Sequence, residues 1–338
     1  MFRNRPTSAT IARRSLVAGV GALAACAAVG RHAVAQEATR LSLAMDWYPN
    51  ANHAGLFIAR DGGLFEAAEL EVDLYTPADP TSVLQTVGAG KDDLGISYQS
   101  DVLLARAAGV PVVSIAALVQ QPLLCVMSLQ DRAITRPADL RGATVGFPGI
   151  PSQEAALATM LAADGLTLAD ITLVNVGFDL LPSLASGRAD AVMGAYWTHE
   201  TIIAEREGYA VDIMKVEEWG VPSYYELVLV ASETTVAERL PMLQAVCDAI
   251  RTGYLVAIAD PVAALDDLAA AYPEIDRAVE EAGLALLISG WTAGGVLPGH
   301  QDAARWSDFA AWMAGQGLIP ADLDPAAAWT AETFPELG

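Results

Sequence analysis

Eight consecutive residues, Asp46-Trp47-Tyr48-Pro49-Asn50-Ala51-Asn52-His53, put two large aromatics, a carboxylate, two amides and an imidazole side by side. That set suits a flat molecule with a polar edge, because aromatic faces stack on a planar ring while carboxylates and amides bond its rim. Further aromatics stand where other strands should end: Tyr98 before Gln99, Tyr196-Trp197, and Tyr224-Tyr225 before Glu226. Asp46, Asn50, Gln99 and Glu226 could hydrogen-bond a ligand's edge. Asp46 or Glu226 could take an amino-pyrimidine or amidine-like edge with two charge-assisted bonds. A single Tyr or Trp at a sheet end is often core, but four clusters at corresponding ends point to a cleft.

Catalysis is poorly supported. The four histidines are His32, His53, His199 and His300. There is no Gly-x-Ser-x-Gly elbow and no phosphate loop. No Cys or His has metal-ligand spacing. His199-Glu200 adjoins Tyr196-Trp197, but a lone histidine at a helix start caps or packs more often than it catalyses. No catalytic residue, metal or cofactor is therefore expected, and His53 reads as a structural residue at the start of a helix.

What the chain lacks narrows the ligand. Lys+Arg number 19 against 41 Asp+Glu, a formal charge of −22, and the only lysines are Lys91 and Lys215. Such a charge argues against nucleic acid or an anionic membrane as partner. A sulfonate, phosphate or carboxylate ligand would call for Arg or Lys near the cleft. Arg60, Arg106 and Arg188 lie in helical or turn patterns away from the aromatic ends. A neutral or cationic heteroaromatic small molecule is favoured.

These residues need a scaffold. Strand-like runs cover residues 41–45, 70–75, 94–98, 110–117, 123–129, 144–147, 171–176, 191–196, 211–216 and 227–230, with helical patterns between many of them. That alternation predicts an α/β fold with mostly parallel sheets, followed by a helical C-terminal region. One segment repeats. Gly90-Lys91-Asp92-Asp93 before Leu94 matches Gly187-Arg188-Ala189-Asp190 before Ala191, and each strand that follows ends in a Tyr. Two lobes follow from this duplication-like echo: residues 40–123 plus 227–338, and residues 130–222. Strands 123–129 and 227–230 would form a two-strand hinge that permits closure on a ligand.

Residues 1–35 hold Arg3, Arg5, Arg13, Arg14 and Arg31, no acid, and an apolar run after the twin arginine. They read as an export signal of the twin-arginine type. Ala33-Val34-Ala35 is the preferred cleavage site. Leu23-Ala24-Ala25-Cys26 is a competing lipoprotein box that would put a lipid anchor on Cys26. The remaining cysteines, Cys125 and Cys247, sit in apolar patterns, and their pairing stays open.

The run 46–56 with Gly63-Leu64-Phe65, then Gly95-Ile96-Ser97-Tyr98-Gln99, Pro111–Ala117 and Gly194-Ala195-Tyr196-Trp197, resembles the substrate-binding proteins of the thiamine-precursor (NMT1/THI5-like) group. The resemblance covers about residues 41–230. It implies a type II periplasmic-binding-protein fold, a periplasmic location, a monomer, and delivery of ligand to an ABC permease in the inner membrane. It further implies a ligand such as formyl-aminopyrimidine or hydroxymethyl-pyrimidine; relatives bind riboflavin, and more distant ones sulfonates. Carried over by motif, Trp47, Asn50, Tyr98, Tyr196, Trp197, Tyr225 and Glu226 would line the pocket. A sister branch of fungal enzymes makes the pyrimidine from pyridoxal phosphate and an active-site histidine. This chain lacks their cysteine-rich iron motif and reads Gly95-Ile96-Ser97 where they carry Gly-Leu-Lys, so no Schiff base could form.

Overall fold

A computed structural model describes residues 38–177, 179–292 and 295–334. The expected export signal, with its twin arginine and Cys26, lies outside the described residues. The first sheet is built from β1 (Thr39–Ala44), β2 (Leu70–Tyr75), β3 (Leu94–Ser97), β4 (Val112–Val119) and β10 (Leu227–Ser232), in the order β2-β1-β3-β10-β4. The second holds β5 (Leu124–Leu129), β6 (Thr144–Phe147), β7 (Thr172–Asn175), β8 (Ala191–Tyr196) and β9 (Val211–Lys215), in the order β7-β6-β8-β5-β9. In each sheet four strands run in the same direction, and one, β10 or β5, runs against them between the last two parallel strands.

The helices in chain order are α1 (Ala54–Asp61), α2 (Leu64–Ala67), α3 (Val83–Gly88), α4 (Gln99–Ala107), α5 (Pro151–Ala163), α6 (Leu180–Ala185), α7 (Glu200–Arg206), α8 (Glu233–Glu238), α9 (Leu240–Ala259), α10 (Pro261–Ala271), α11 (Arg277–Trp291) and α12 (Ala303–Gly315). Every expected strand is present, with ends shifted by at most two residues. Those expected to form the hinge differ in role. β5 and β10 each belong wholly to one sheet, and the chain crosses in the non-strand segments 120–123 and 221–226 that precede them.

The repeated turn has a physical basis. Gly90 and Gly187 have φ of +66° and +70°, the left-handed region where glycine carries no Cβ penalty, so each ends its helix and turns the chain into the next strand. Three residues on, Asp93 accepts the Ser42 N–H at 3.0 Å and Asp190 accepts the Thr144 N–H at 2.9 Å. Each carboxylate thereby ties its turn to the neighbouring strand, at the middle of β1 and at the first residue of β6. β4 would be an exposed edge, yet its whole length is buried. Backbone bridges from Ser114 to Trp329 and from Ala117 to Gly299 bring the C-terminal region over it. Cys125 and Cys247 are both free and buried.

Candidate functional site

One wall is built just past β1. Asp46 is buried and accepts the Tyr98 hydroxyl on Oδ2 at 2.8 Å. Its Oδ1 lies 2.9 Å from His53 Nε2. The other ring nitrogen, Nδ1, accepts the Asn50 N–H at 3.2 Å, so Nε2 carries the proton that His53 donates to Asp46. Asn50 is the cap of the 3-10 turn Ala51–His53, with Oδ1 accepting from Asn52 N at 2.9 Å and Nδ2 donating to the Tyr48 carbonyl at 3.1 Å. The side chain of Asn50 is thus committed to holding the turn. Trp47 and Tyr48 meet edge-to-face at 6.1 Å, and Tyr48 is 72% exposed.

The other wall centres on Glu226, which is 3% exposed. Oε1 accepts the Tyr196 hydroxyl at 2.9 Å; Oε2 accepts the Tyr224 hydroxyl at 3.0 Å and the Leu123 N–H at 2.7 Å. Leu123 and Glu226 belong to the two segments that cross between the sheets, so this carboxylate also ties the crossings together. Burial pushes the Glu226 carboxyl up to about 7, against the opposing pull of those three donors. Burial and the neighbouring carboxylates hold the hydroxyls of Tyr98, Tyr196 and Tyr224 well above the ordinary phenol range, so all three remain donors. The charges of Asp46 and Glu226 both reach Tyr98 and Tyr196. Each of these two tyrosines keeps part of its surface open although its hydroxyl lies deep.

The structure therefore brings Asp46, Tyr98, Tyr196, Tyr224 and Glu226 into one constellation, with Trp47 following Asp46 and Asn50 behind the turn. Three other expected pocket residues face elsewhere. Gln99 is fully buried and accepts the Tyr225 N–H at 2.8 Å. Tyr225 turns its hydroxyl to the Asp302 N–H at 2.7 Å and its ring to the Arg305 guanidinium, 4.6 Å from the centroid. Trp197 is buried, donates to the Pro122 carbonyl at 3.2 Å, and carries the Lys215 amine 3.7 Å over its ring. These contacts brace the crossing segments and the C-terminal helices.

Residues without a local signal also arrive here. Glu217, just past β9, has a buried Oε2 with no hydrogen-bond partner, and its charge reaches Glu226 and Tyr224. Glu280 of α11 accepts the Ala51 N–H at 2.6 Å. Lys215 brings a cation onto the Trp197 ring, one residue past Tyr196.

The NMT1/THI5-like family model matches residues 50–264. A protein of Halalkalibacterium halodurans named formylaminopyrimidine-binding protein is 40% identical over 274 residues, 80% of this chain and 83% of that protein. The chain belongs to the NMT1/THI5-like family. The chain is also similar to a 4-amino-5-hydroxymethyl-2-methylpyrimidine phosphate synthase of Aspergillus parasiticus, 26% identical over 238 residues, 68% of this chain and 69% of that one. Among solved structures, the alkanesulfonate-binding protein SsuA from Xanthomonas axonopodis pv. citri, bound to MOPS, superposes with a TM-score of 0.68 at 19% identity, over 88% of this chain and 99% of that one. At that identity the match speaks to fold. This NMT1/THI5-like chain has the periplasmic-binding-protein fold with its two sheets, and its Asp46–Glu226 constellation gathers residues that follow β1 and β3, end β8 and precede β10.

Proposed function

We propose that this protein is the exported solute receptor of an ABC importer, and that it takes an aminopyrimidine precursor of thiamine, a formyl-aminopyrimidine or hydroxymethyl-pyrimidine, stacked against Trp47. The observation that carries the reading is Glu226, a buried carboxyl set beside Tyr196 and Tyr224 at the constellation with Asp46 and Tyr98, which burial pushes up to about 7. A 4-aminopyrimidine presents a ring nitrogen beside an exocyclic N–H. A carboxyl of this kind can share one proton with that edge, O–H to ring nitrogen or ring N–H to carboxylate, while its second oxygen accepts the amine in both cases. The 40% identical relative bears the name of such a ligand's receptor, which supports the same class. A sulfonate fits poorly, since Asp46 and Glu226 would repel it and the Lys215 amine is engaged on Trp197. A synthase role fits poorly as well, because Ser97, at the position of the synthases' lysine, is a buried hydroxyl with no amine to offer a cofactor.

The test is a thermal-shift and calorimetry panel on the mature protein. At a hundredfold excess over Kd, the bound pyrimidine should add about 2.7 kcal/mol of stability. A clear response to riboflavin or an alkanesulfonate, with none to either pyrimidine, would overturn the ligand while leaving the receptor class standing.

A further inference from the structure

α7 continues from the end of β8 in the second sheet, and it meets α11, which also packs on α10 and on the Ala51–His53 turn. The approach is close: a Cβ placed on Gly283 would lie 2.7 Å from the Thr198 carbonyl oxygen. Two ion pairs join the helices. Arg206–Asp276, at 3.2 Å, is solvated on both sides and is worth little. The other pair, His199 Nε2 to Glu280 Oε1 at 3.6 Å, is of another kind, because Glu280 is 5% exposed.

Both ends of that inner pair lead to the cleft. The second oxygen of Glu280 accepts the Ala51 N–H, next to the capping residue Asn50. On the other side, His199 Nδ1 lies 3.2 Å from Glu200 Oε1, and Glu200 Oε2 accepts the Tyr196 N–H at 2.7 Å. A continuous polar chain therefore runs Ala51–Glu280–His199–Glu200–Tyr196, from one wall of the cleft to the other. Burial would hold the His199 imidazole down, but the bonds and charges of Glu200 and Glu280 outweigh it and push it up to about 10, so it stays cationic between the two carboxylates.

We infer that Glu280 and His199 form a clasp between the lobes. Glu280 is a positioning residue that fixes the Asn50–His53 turn and, through His199, holds the Tyr196 wall against it. The clasp acts on lobe opening, so it sets how long a solute stays bound. The residence-time half rests on the receptor reading above; the clasp half does not.

The experiment places spin labels through Glu71→Cys on β2 and Thr172→Cys on β7, both exposed strand positions in different sheets, with Cys125 and Cys247 buried and out of reach. Interlobe distances are measured for the ligand-free protein with the native clasp and with Glu280→Gln, His199→Gln or both. Glu280→Gln keeps an amide oxygen for the Ala51 N–H, and His199 is half-buried, so at least one fold-preserving variant is expected. Each single variant should move the distance distribution toward longer values, and the double variant should match either single one. With formyl-aminopyrimidine as probe, release should quicken about tenfold in each variant while the association rate stays within about twofold. Unchanged distances, or single effects that add, would overturn the clasp. If the native protein ignores the pyrimidine, the proposed ligand falls and the ligand-free distances still decide the clasp.

Discussion

Tyr98 and Tyr196 stand at matching places in two sheets of matching order, each closing a strand that follows the same Gly-basic-x-Asp turn. Their partners differ. Tyr98 donates to Asp46, which follows the adjacent strand of the same sheet. After β6, the equivalent strand of the second sheet, the chain reads Pro148-Gly149 and offers no carboxylate. Tyr196 reaches across to Glu226 instead, in the segment that re-enters the first sheet. The repeated frame thus presents two hydroxyls symmetrically, while the acids come from the first lobe and the crossing. One bond holds a lobe together; the other joins two lobes.

The largest effect should follow from removing the acid at the joined end. Glu226→Gln leaves one oxygen where Leu123 N–H, Tyr196 and Tyr224 now share two. It also removes the proton exchange with the pyrimidine edge. Loss of about 2 kcal/mol, roughly thirtyfold in Kd, is expected by calorimetry. The same variant reports on pH. The folded carboxyl is held near 7 and the unfolded one near 4.5, so Glu226 contributes stability that is fully present below 4.5 and lost as pH rises through 7. Subtracting the variant's unfolding free energy from that of the native protein should give a difference that falls by on the order of 3 kcal/mol across that window. The subtraction matters because Asp101, which burial raises to about 6, contributes a slope of the same sign. A flat difference would mean that Glu226 is solvated.

Much of this frame was legible because its causes are local. Strand period, the glycine turns and the aromatic strand ends all lie within a few residues of one another. Where the fold turns residues to other partners, the causes are also local. Tyr224 and Glu226 share a side of an extended segment, so Tyr225 between them must point away by the two-residue period, and Gln99 follows it into the same buried network. Glu280 could not be foreseen, since it lies 229 residues from the Ala51 N–H it accepts. Lys215 comes to Trp197 and Glu217 to Glu226 through the pairing of β9 with β5, a neighbour far away in sequence.

At the single-lobe end the effect should be smaller. Asp46→Asn keeps an oxygen for the Tyr98 hydroxyl and turns the amide against the His53 Nε2–H or the ligand. The turn itself is capped by Asn50 and held by Glu280, so it should persist. A loss of about 1 kcal/mol, roughly fivefold in Kd, is expected by calorimetry. A loss equal to that of Glu226→Gln would make Asp46 the primary anchor and reverse the assignment of the two ends.

The smallest effects should separate the two tyrosines. Each Tyr→Phe change removes one hydroxyl and keeps the ring. Tyr196→Phe breaks a bond between lobes, so the loss should fall on release, about threefold faster by stopped-flow fluorescence, with association unchanged. It also removes a donor that holds the Glu226 carboxyl down, so the pH window of the preceding subtraction should move upward. Tyr98→Phe breaks a bond inside one lobe and should leave the release rate within about twofold, with no shift in that window. If both variants release ligand equally fast, the hydroxyls serve the ring stack alone, and the asymmetry of their partners has no bearing on closure.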